Sequence, residues 1–299
     1  MDFSLRGGDA HGATYGPHEL FLVDRAEFDA GLIELAISRA RGDLKLLENA
    51  LVTDVQETEN GVHISGKNFD TIQARGLIAA DGASSLVARR TGLFHNQKQA
   101  VAFDVELAVP SEAYHRFSKS VYFDYFIVPA GYGWIFPKQE GVLSCGIGSW
   151  DYQGNPLQKV LNTFLSTHLP MDKVRVISNS GYPIPVFSEN RAISTSRICL
   201  TGDAAGLVDP VSGEGIRYAL HSGKLAAEAI LAMLTDEDGH SPTGLDCATY
   251  SSSIRAGLGK RLENIHQFVS LPFHQAPDIY YRKFIVGGGG QGAYQPSHL

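Results

Sequence analysis

The sequence predicts a mixed α/β fold in which an antiparallel sheet is inserted into a parallel α/β unit. Two observations indicate the α/β unit. Apolar runs end in Asp-Gly at 81–82 and in Gly-Asp at 202–203, and a helix over 214–234 follows the second run. The inserted sheet is indicated by residues 100–150, which alternate apolar and polar positions and are rich in aromatic residues.

The first ninety residues predict a strand, a helix and a group of short strands. Residues 20–24 are typical of a strand, and the apolar stripe of "FDAGLIELAISRARG" predicts a helix that ends at Gly42. Strands are expected on both sides of the Asn60-Gly61 pair, which is a strong hairpin signal. "GLIAADG" is a small apolar strand, and Ser84 or Ser85 can cap the helix that follows it.

The rest of the chain alternates strands and helices. "AVAFDVELAV", "VYFDYFIVPAGYGWIFPK" and "GVLSCGIGSW" predict strands of an antiparallel sheet, and "PLQKVLNTFLSTHL" predicts an amphipathic helix. "RICLTGD" returns to an apolar strand before the long helix. The final segment "VGGGGQGAYQPSHL" is expected to be a flexible tail, because ordering four glycines costs much backbone entropy.

Composition excludes several classes of function. A net charge of −7 argues against nucleic-acid binding, and three widely spaced cysteines argue against a disulfide framework or a zinc site. Cys145 and Cys199 lie within predicted strands and are expected to be buried thiols. No apolar run reaches the length of a membrane span, and no signal peptide is visible. A cytoplasmic protein is expected, with at most a peripheral membrane contact.

The end of the "RICLTGD" strand carries the residues from which a ligand site can be argued. Asp203 lies where α/β folds bind ligands, and it can accept a hydrogen bond from a ligand hydroxyl. Gly213 and Gly215 let the backbone approach a flat ligand, and the following helix directs its unsatisfied N–H groups outward. A ligand with a sugar-like chain and a ring that becomes anionic, such as reduced flavin, suits both ends. The alternative is an ordinary loop and helix start.

Four segments, in order, resemble the FAD-dependent oxidoreductases built like p-hydroxybenzoate hydroxylase. "ADGASSLVARRTG" is similar to their Asp-Gly motif, and "ICLTGDAAGLVDPVSGEGIRYALHSGKLAAEAI" is similar to their Gly-Asp motif. "VDRAEFDAGLIELA" resembles the segment in which the family's arginine contacts FAD. "PAGYGWIFPKQEGVLSCGIG" contains Tyr-x-Trp-x-Phe-Pro-Lys, the signature of the geranylgeranyl reductase branch. The resemblance covers residues 20–235.

This resemblance implies a truncated FAD-binding Rossmann-like domain with an inserted antiparallel substrate domain. The implied boundaries are 1–97 and 191–235 for the two parts of the FAD-binding domain, 98–190 for the substrate domain, and 236–299 for a C-terminal helical region with a tail. The residues implied to contact FAD are Arg25, Val52, Asp81, Asp203, Pro210, Gly213, Gly215 and Ile216. Alternatives stay open for three of them: Arg25 as a surface ion pair, Val52 as a core residue and Asp81 as a helix cap.

The predicted strand "YGWIFPK", residues 132–138, carries the residues implied to contact the substrate. A period of two puts Tyr132, Trp134, Phe136 and Lys138 on one face. The pattern alone favours a half-buried strand whose aromatic face packs into the core. The family resemblance instead implies that Tyr132, Trp134 and Phe136 line a tunnel for a prenyl chain beside the flavin.

One expected part of the family pattern does not appear in its usual place. Family members open with a strand, a G-x-G-x-x-G turn and a helix that hold the FAD pyrophosphate, whereas residues 1–20 carry only Gly7, Gly8 and Gly12 in other spacing. The chain is therefore expected to begin inside the fold, and tight FAD binding by this polypeptide is not expected.

The function implied by the resemblance is an FAD-dependent reductase that saturates double bonds of isoprenoid chains in lipids, quinones or pigments. Its reduced electron donor is NAD(P)H or ferredoxin, and no catalytic proton donor is evident. Two alternatives stay open: an aromatic hydroxylase or halogenase of the same fold, and a non-catalytic, lipid-binding fragment. Gly206 follows Gly-Asp-Ala-Ala where those hydroxylases often have histidine, which favours the reductase.

Overall fold

The computed structural model describes residues 2–5, 11–12, 21–93, 99–151, 154, 157–187, 191–210, 212–235 and 247–263. In chain order the elements are β1 (Asp2–Leu5), β2 (His11–Gly12), α1 (Arg25–Arg39), β3 (Leu51–Thr58), β4 (Gly61–Lys67), β5 (Ile72–Ala74), β6 (Leu77–Ala79), α2 (Leu86–Arg90), β7 (Ala100–Ala108), α3 (Ser111–Phe117), β8 (Tyr122–Tyr125), β9 (Gly131–Pro137), β10 (Val142–Ser149), α4 (Leu157–His168), β11 (Arg175–Ile184), β12 (Ile198–Leu200), α5 (Ile216–Thr235) and α6 (Cys247–Ile254). Short 3₁₀ turns occupy Met171–Lys173 and Gly202–Ala205, and a π-helical turn over Arg255–Gly259 continues α6.

These elements form two compact units, each assembled from separate segments of the chain. The first unit takes its described residues from 1–46 and 100–182, and the second takes them from 47–99 and 183–270. Segments 21–46 therefore group with the inserted sheet, although the predicted boundaries assigned them to the FAD-binding domain. The functional assignment of the domains stays a prediction.

The first unit is built on a seven-stranded sheet with the order β11-β7-β10-β9-β8-β1-β2. β10 pairs antiparallel with β7 and with β9, and β9 pairs antiparallel with β8. One face of this sheet packs against α4, where aliphatic side chains from the strands meet Leu161, Phe164 and Leu165 of the helix. The amphipathic pattern of α4 explains this packing, since its apolar stripe faces the sheet and its polar side faces outward.

The second unit combines a three-stranded meander, β3-β4-β5, with a parallel pair of strands, β6 and β12. The turn between β3 and β4 lies at Glu59 and Asn60, which confirms the predicted hairpin. β12 is fully buried, and α5 and α6 contribute Tyr218, Ala226 and Tyr250 to the same core. The predicted mixed α/β fold with an antiparallel sheet is confirmed.

Local sequence signals account for most element boundaries. Ser85 caps α2, because its Oγ accepts a hydrogen bond from the backbone N–H of Ala88 at 2.9 Å. The strand predicted over 20–24 is wrong for its described residues, since 21–24 form no strand and Asp24 is the N-cap of α1. The predicted apolar stripe of α1 is helical, although none of its residues is buried within the described part of the chain. The predicted flexible tail lies outside the described residues.

Candidate functional site

The Gly-Asp pair after β12 is fixed between this strand and α5. The backbone N–H of Thr201 donates to the carbonyl of Ala79 at 2.9 Å, which extends the parallel pairing with β6. Gly202 has a φ of +52°, and its N–H donates to Oγ of Ser222 on α5 at 3.0 Å. A Cβ at Gly202 would lie 2.9 Å from Cβ of Ala219, so only glycine fits between the strand and the helix.

This arrangement holds Asp203 against the start of α5. A Cβ added at Gly215 would lie 3.1 Å from Oδ1 of Asp203, so the glycine leaves the space that the carboxylate uses. Asp203 is half-buried, and Ile216 opens the helix directly after Gly215. A carboxylate and the positive end of a helix therefore lie side by side, which suits a ligand that carries both hydroxyl donors and an acceptor edge.

A buried carboxylate organises the loop between Asp203 and α5. Asp209 is 1% exposed; its Oδ1 accepts the N–H of Ser212 at 3.0 Å, and its Oδ2 accepts the hydroxyl of Tyr218 at 3.2 Å. The backbone N–H of Gly213, which has a φ of +70°, donates to the carbonyl of Asp209 at 3.0 Å. Pro210 is buried in the same turn. Sequence reasoning did not single out Asp209, although an aspartate before proline is a turn signal.

The N-terminus of α5 carries its own acidic side chain. Oε1 of Glu214 accepts the backbone N–H of Arg217 at 2.6 Å, and the two side chains also form an ion pair at 3.5 Å. The first intrahelical hydrogen bond runs from Ala219 to Gly215 at 2.8 Å. The sequence predicted that the N–H groups at the start of this helix are unsatisfied. One of them, that of Arg217, instead donates to Glu214, and this carboxylate reduces the positive potential at the helix end.

Asp81 lies at the same edge of the parallel pair. Ala79 of β6 is in register with Leu200 of β12, so the residues that follow both strands emerge side by side. Oδ2 of Asp81 accepts the N–H of Val87 at 3.1 Å, which is the helix-cap reading of this residue. Gly82 has a φ of +76° with no atom within 4 Å of a Cβ position, so the backbone there faces open space.

The other two predicted cofactor contacts have ordinary surroundings. Val52 lies on β3 beside a register shift and is 37% exposed. Arg25 belongs to the first unit and forms an exposed ion pair with Asp29 at 2.8 Å, one helical turn away. This contact holds the pKa of Asp29 below its ordinary value. The surface ion pair that the sequence left open for Arg25 is therefore present, and such pairs contribute little stability.

The residues around Asp203 fit the ribityl and ring end of FAD. Two observations support this fit: the half-buried carboxylate of Asp203 beside Gly215, and the open backbone at Gly82, where no atom lies within 4 Å of a Cβ position. Asp203 would accept hydrogen bonds from ribityl hydroxyls, and the N–H groups of Gly215 and Ile216 would face the ring edge that becomes negative on reduction. Within the described ranges, no three histidine, cysteine, aspartate or glutamate side chains are grouped to hold a metal ion.

The first unit carries the predicted aromatic wall on the sheet face opposite α4. Gly133 faces Phe164 of α4, and the odd-numbered neighbour Ile135 is fully buried in the helix-packed core. The even-numbered residues of β9 point to the other face and do not belong to that core. We call this second surface the aromatic face; its members are Phe123, Tyr125, Tyr132, Trp134, Phe136 and Trp150.

Edge-to-face contacts join the rings of the aromatic face. Phe123 contacts Tyr132 and Phe136 with ring centroids 5.4 and 5.2 Å apart, and Tyr132 contacts Trp134 at 6.0 Å. Tyr132 is 6% exposed, whereas Trp134 and Phe136 are half-buried. Tyr132 is therefore buried, as the pattern alone favoured, whereas Trp134 and Phe136 are partly exposed; none of the three belongs to the core packed against α4.

Lys138, two residues after Phe136 of the aromatic face, forms ion pairs with two carboxylates. Nζ of Lys138 lies 2.5 Å from Oε1 of Glu106 on β7 and 2.7 Å from Oδ2 of Asp24, the N-cap of α1. The hydrogen bond to Asp24 raises the pKa of Lys138, and the same bond lowers the pKa of Asp24. Lys138 directly follows β9, so its two ion pairs connect the end of this strand to β7 and to the start of α1. The sequence placed Lys138 on this face without indicating its partners.

Two buried thiols carry no sign of reactivity. Cys145 and Cys199 are both fully buried, as expected from their positions in strands. Burial raises the pKa of Cys145, so its thiol stays protonated.

None of the helices in the described part of the chain has the length and hydropathy that a membrane-spanning helix requires.

Solved structures define the class to which this fold belongs. A geranylgeranyl bacteriochlorophyll reductase-like protein from Thermoplasma acidophilum is 26% identical, with a TM-score of 0.64 over 84% of this chain and 67% of that one. The halogenase PltM, in complex with phloroglucinol and FAD, shares the fold alone, at 16% identity and a TM-score of 0.65 over 91% of this chain and 59% of that one. The fold is that of the FAD-dependent oxidoreductases with an inserted sheet.

Sequence relatives narrow this class to one family. Residues 106–182 match the model of the geranylgeranyl reductase catalytic domain. The chain is 30% identical to chloroplastic geranylgeranyl diphosphate reductase of Oryza sativa subsp. japonica, over 74% of this chain and 50% of the relative. It is 31% identical to digeranylgeranylglycerophospholipid reductase 2 of Methanopyrus kandleri, over 74% and 58%. The chain belongs to the geranylgeranyl reductase family of FAD-dependent oxidoreductases, and it spans about half to three fifths of the length of these curated relatives.

Proposed function

We propose that this chain is the substrate-binding and flavin-contacting part of an FAD-dependent reductase that saturates double bonds of isoprenoid chains. The observation that carries the proposal is the aromatic face, because all six of its residues lie inside the segment 106–182 that matches the geranylgeranyl reductase catalytic domain. Relatives named for reduction of geranylgeranyl diphosphate and of digeranylgeranylglycerophospholipid support an isoprenoid substrate. The substrate is a lipid, quinone or pigment that carries such a chain.

FAD, when bound and reduced, supplies the hydride for the reaction. In this proposal Asp203 binds the ribityl hydroxyls, while the N–H groups of Gly215 and Ile216 stabilise negative charge at the ring edge. Glu214 moderates that stabilisation, because its carboxylate already occupies the N–H of Arg217. Asp209 contributes indirectly by fixing the loop between Asp203 and the helix.

Tyr132, Trp134 and Phe136 bind the apolar chain in this proposal. Their rings exclude water from the alkene and offer a broad surface of low polarity. Lys138 is not available as an acid at neutral pH, because two carboxylates hold it and raise its pKa. The proton that completes the reduction therefore comes from another group or from water.

The test is an anaerobic assay of the 299-residue chain with reduced FAD in excess and a geranylgeranyl substrate. We expect a mass gain of two hydrogens for each double bond reduced. Asp203→Ala should lower the rate, whereas Asp70→Ala, an exposed aspartate of the same unit, should not. A product that gains oxygen, and forms only in air, would support the hydroxylase alternative. No product under either condition contradicts both activities and favours the non-catalytic lipid-binding alternative.

A further inference from the structure

Trp134 lies flat across the neighbouring strand of the aromatic face. The pairing register aligns Trp134 of β9 with Gly146 of β10, and Gly146 with Asp104 of β7. A side chain at Gly146 would overlap the six-membered part of the indole, and one at Gly148 would lie 3.8 Å from Cζ3. The ring therefore covers two glycines of β10 and reaches toward the third strand.

A carboxylate lies on the same sheet face as this ring. The register places Asp104 beyond Gly146, on the side toward which the indole of Trp134 extends, and Oγ of Ser144 donates a hydrogen bond to Oδ1 of Asp104 at 2.9 Å. Asp104 is half-buried, and burial raises its pKa. The charged groups that act on it are Glu106, on the same strand, and Lys138, which follows β9. Trp134 on β9 and Asp104 on β7 therefore lie on the same sheet face, with Gly146 of β10 between them.

We infer that Asp104 accepts a hydrogen bond from the indole N–H of Trp134 and is thereby a positioning residue. It fixes the indole over Gly146 and Gly148, and so sets the length of flat surface available to an isoprenoid chain. This inference rests on the proposed function for the identity of the substrate. A half-buried indole N–H without an acceptor turns toward water, because leaving it unpaired costs free energy. Loss of Asp104 should therefore tilt the ring and uncover the glycines.

The conservative variant separates positioning from proton transfer. Asp104→Asn keeps a carbonyl oxygen that accepts the indole N–H, and its amide donates to Oγ of Ser144. Asp104→Ala removes the acceptor. A residue that positions Trp134 is rescued by asparagine, whereas a residue that delivers a proton is not. Ser144→Ala is the matched control, because it removes the second donor and leaves the bond to Trp134.

The experiment uses the full 299-residue chain without FAD. Trp150→Phe leaves Trp134 as the single tryptophan, and its emission maximum and acrylamide quenching report the position of the ring. If Trp150→Phe does not fold, labelling both tryptophans with 5-fluorotryptophan gives one fluorine resonance for each. Binding is measured with geranylgeraniol and geraniol, the C20 and C10 alcohols, and circular dichroism establishes that each variant is folded.

In Asp104→Ala we expect red-shifted, more quenchable Trp134 emission and about tenfold weaker binding of geranylgeraniol, with a smaller change for geraniol. Asp104→Asn and Ser144→Ala should stay near the wild type. An unchanged Trp134 signal in Asp104→Ala, with unchanged binding of both alcohols, would overturn the inference. Failure of the wild type to bind either alcohol would instead overturn the substrate part of the proposed function, while the emission shift would still decide the role of Asp104.

Discussion

The loop that ends at α5 and the aromatic face, the two surfaces proposed to bind ligands, are built in different ways. Backbone groups and glycines form the loop: Gly202, Gly213 and Gly215 sit where a side chain would be strained or would collide. Side chains form the aromatic face, where rings contact one another across β8 and β9. The first surface cannot change its shape without changing its backbone, whereas the second can be altered one ring at a time.

The largest expected effect is on the backbone of the loop. Gly202→Ala forces a left-handed φ on a residue with a Cβ and brings that Cβ 2.9 Å from Ala219. We expect the free energy of unfolding to fall by about 2–5 kcal/mol, as measured by urea denaturation. Gly82→Ala is the matched control, since it has the same left-handed φ but open space, and should cost only about 1–2 kcal/mol. Equal losses in the two variants would mean that the contact with Ala219 is unimportant.

The next largest effect is expected at Asp203, the side chain of this loop that we propose binds the ligand hydroxyls. Asp203→Ala removes the acceptor for ligand hydroxyls, and a hydrogen bond to a charged group contributes about 1.5–3 kcal/mol. The affinity for FAD should therefore fall roughly 10- to 150-fold in a fluorescence titration. Asp70→Ala should bind FAD as the wild type does. Unchanged affinity in Asp203→Ala would remove Asp203 from the proposed cofactor site.

The pKa of His168, at the end of α4, predicts that the free energy of unfolding of the first unit depends on pH. Burial beside Phe117, Tyr122 and Phe164 lowers the pKa of His168 to about 4. The folded state therefore favours neutral His168, and this contribution is complete above pH 6.5 and is lost as the pH falls from about 6.5 to about 4. The neighbouring cation Arg116 acts in the same direction.

We expect a loss of about 1–2 kcal/mol across this range, after discounting for the solvent that still reaches the half-buried ring. Denaturation curves recorded at several pH values measure it. His168→Gln should flatten the dependence, and His115→Gln, in the neighbouring helix α3, should leave it unchanged. A dependence that survives in His168→Gln would assign it to other groups.

A ring of the aromatic face should show its effect in binding more than in folding. Trp134→Ala shortens an apolar wall that is half-buried, so we expect about five- to tenfold weaker binding of a C20 chain and a smaller change for a C10 chain. Leu143→Ala, in the helix-packed core, should instead cost about 2–5 kcal/mol of stability with no dependence on chain length. Equal losses for the two chain lengths, with a large drop in melting temperature, would place Trp134 with the core.

The smallest effect is expected at the surface of α1. Arg25→Ala breaks an exposed ion pair with Asp29, and because solvent screens such pairs, the melting temperature should hardly change. Thermal denaturation measures this directly. If Arg25→Ala also weakens FAD binding, the contact implied by the family resemblance is supported; unchanged binding would contradict that contact.

Much of the fold follows from signals that act over a few residues. The Asn-Gly turn, the Ser85 cap, the period of the strands and the glycines before α5 were all readable from the sequence, because turn chemistry and hydrophobic period act locally. The same signals placed Tyr132, Trp134 and Phe136 on one face of a strand. They also predicted a strand over 20–24 that does not form, since Asp24 caps α1 and bonds to Lys138.

Only the tertiary structure decided which of these groups meet. Asp104 and Trp134 share one sheet face because the register of β7, β10 and β9 aligns them across a glycine, and no spacing in the sequence encodes that register. Asp209 is buried and accepts a hydrogen bond from the hydroxyl of Tyr218. Glu214 accepts a backbone N–H at the start of α5 that the sequence predicted to be unsatisfied. The sequence by itself determined the period, the turns and the face on which each side chain lies. Contacts between distant residues depend on how strands pair and helices pack, because hydrogen bonds and ring contacts form only within a few ångströms.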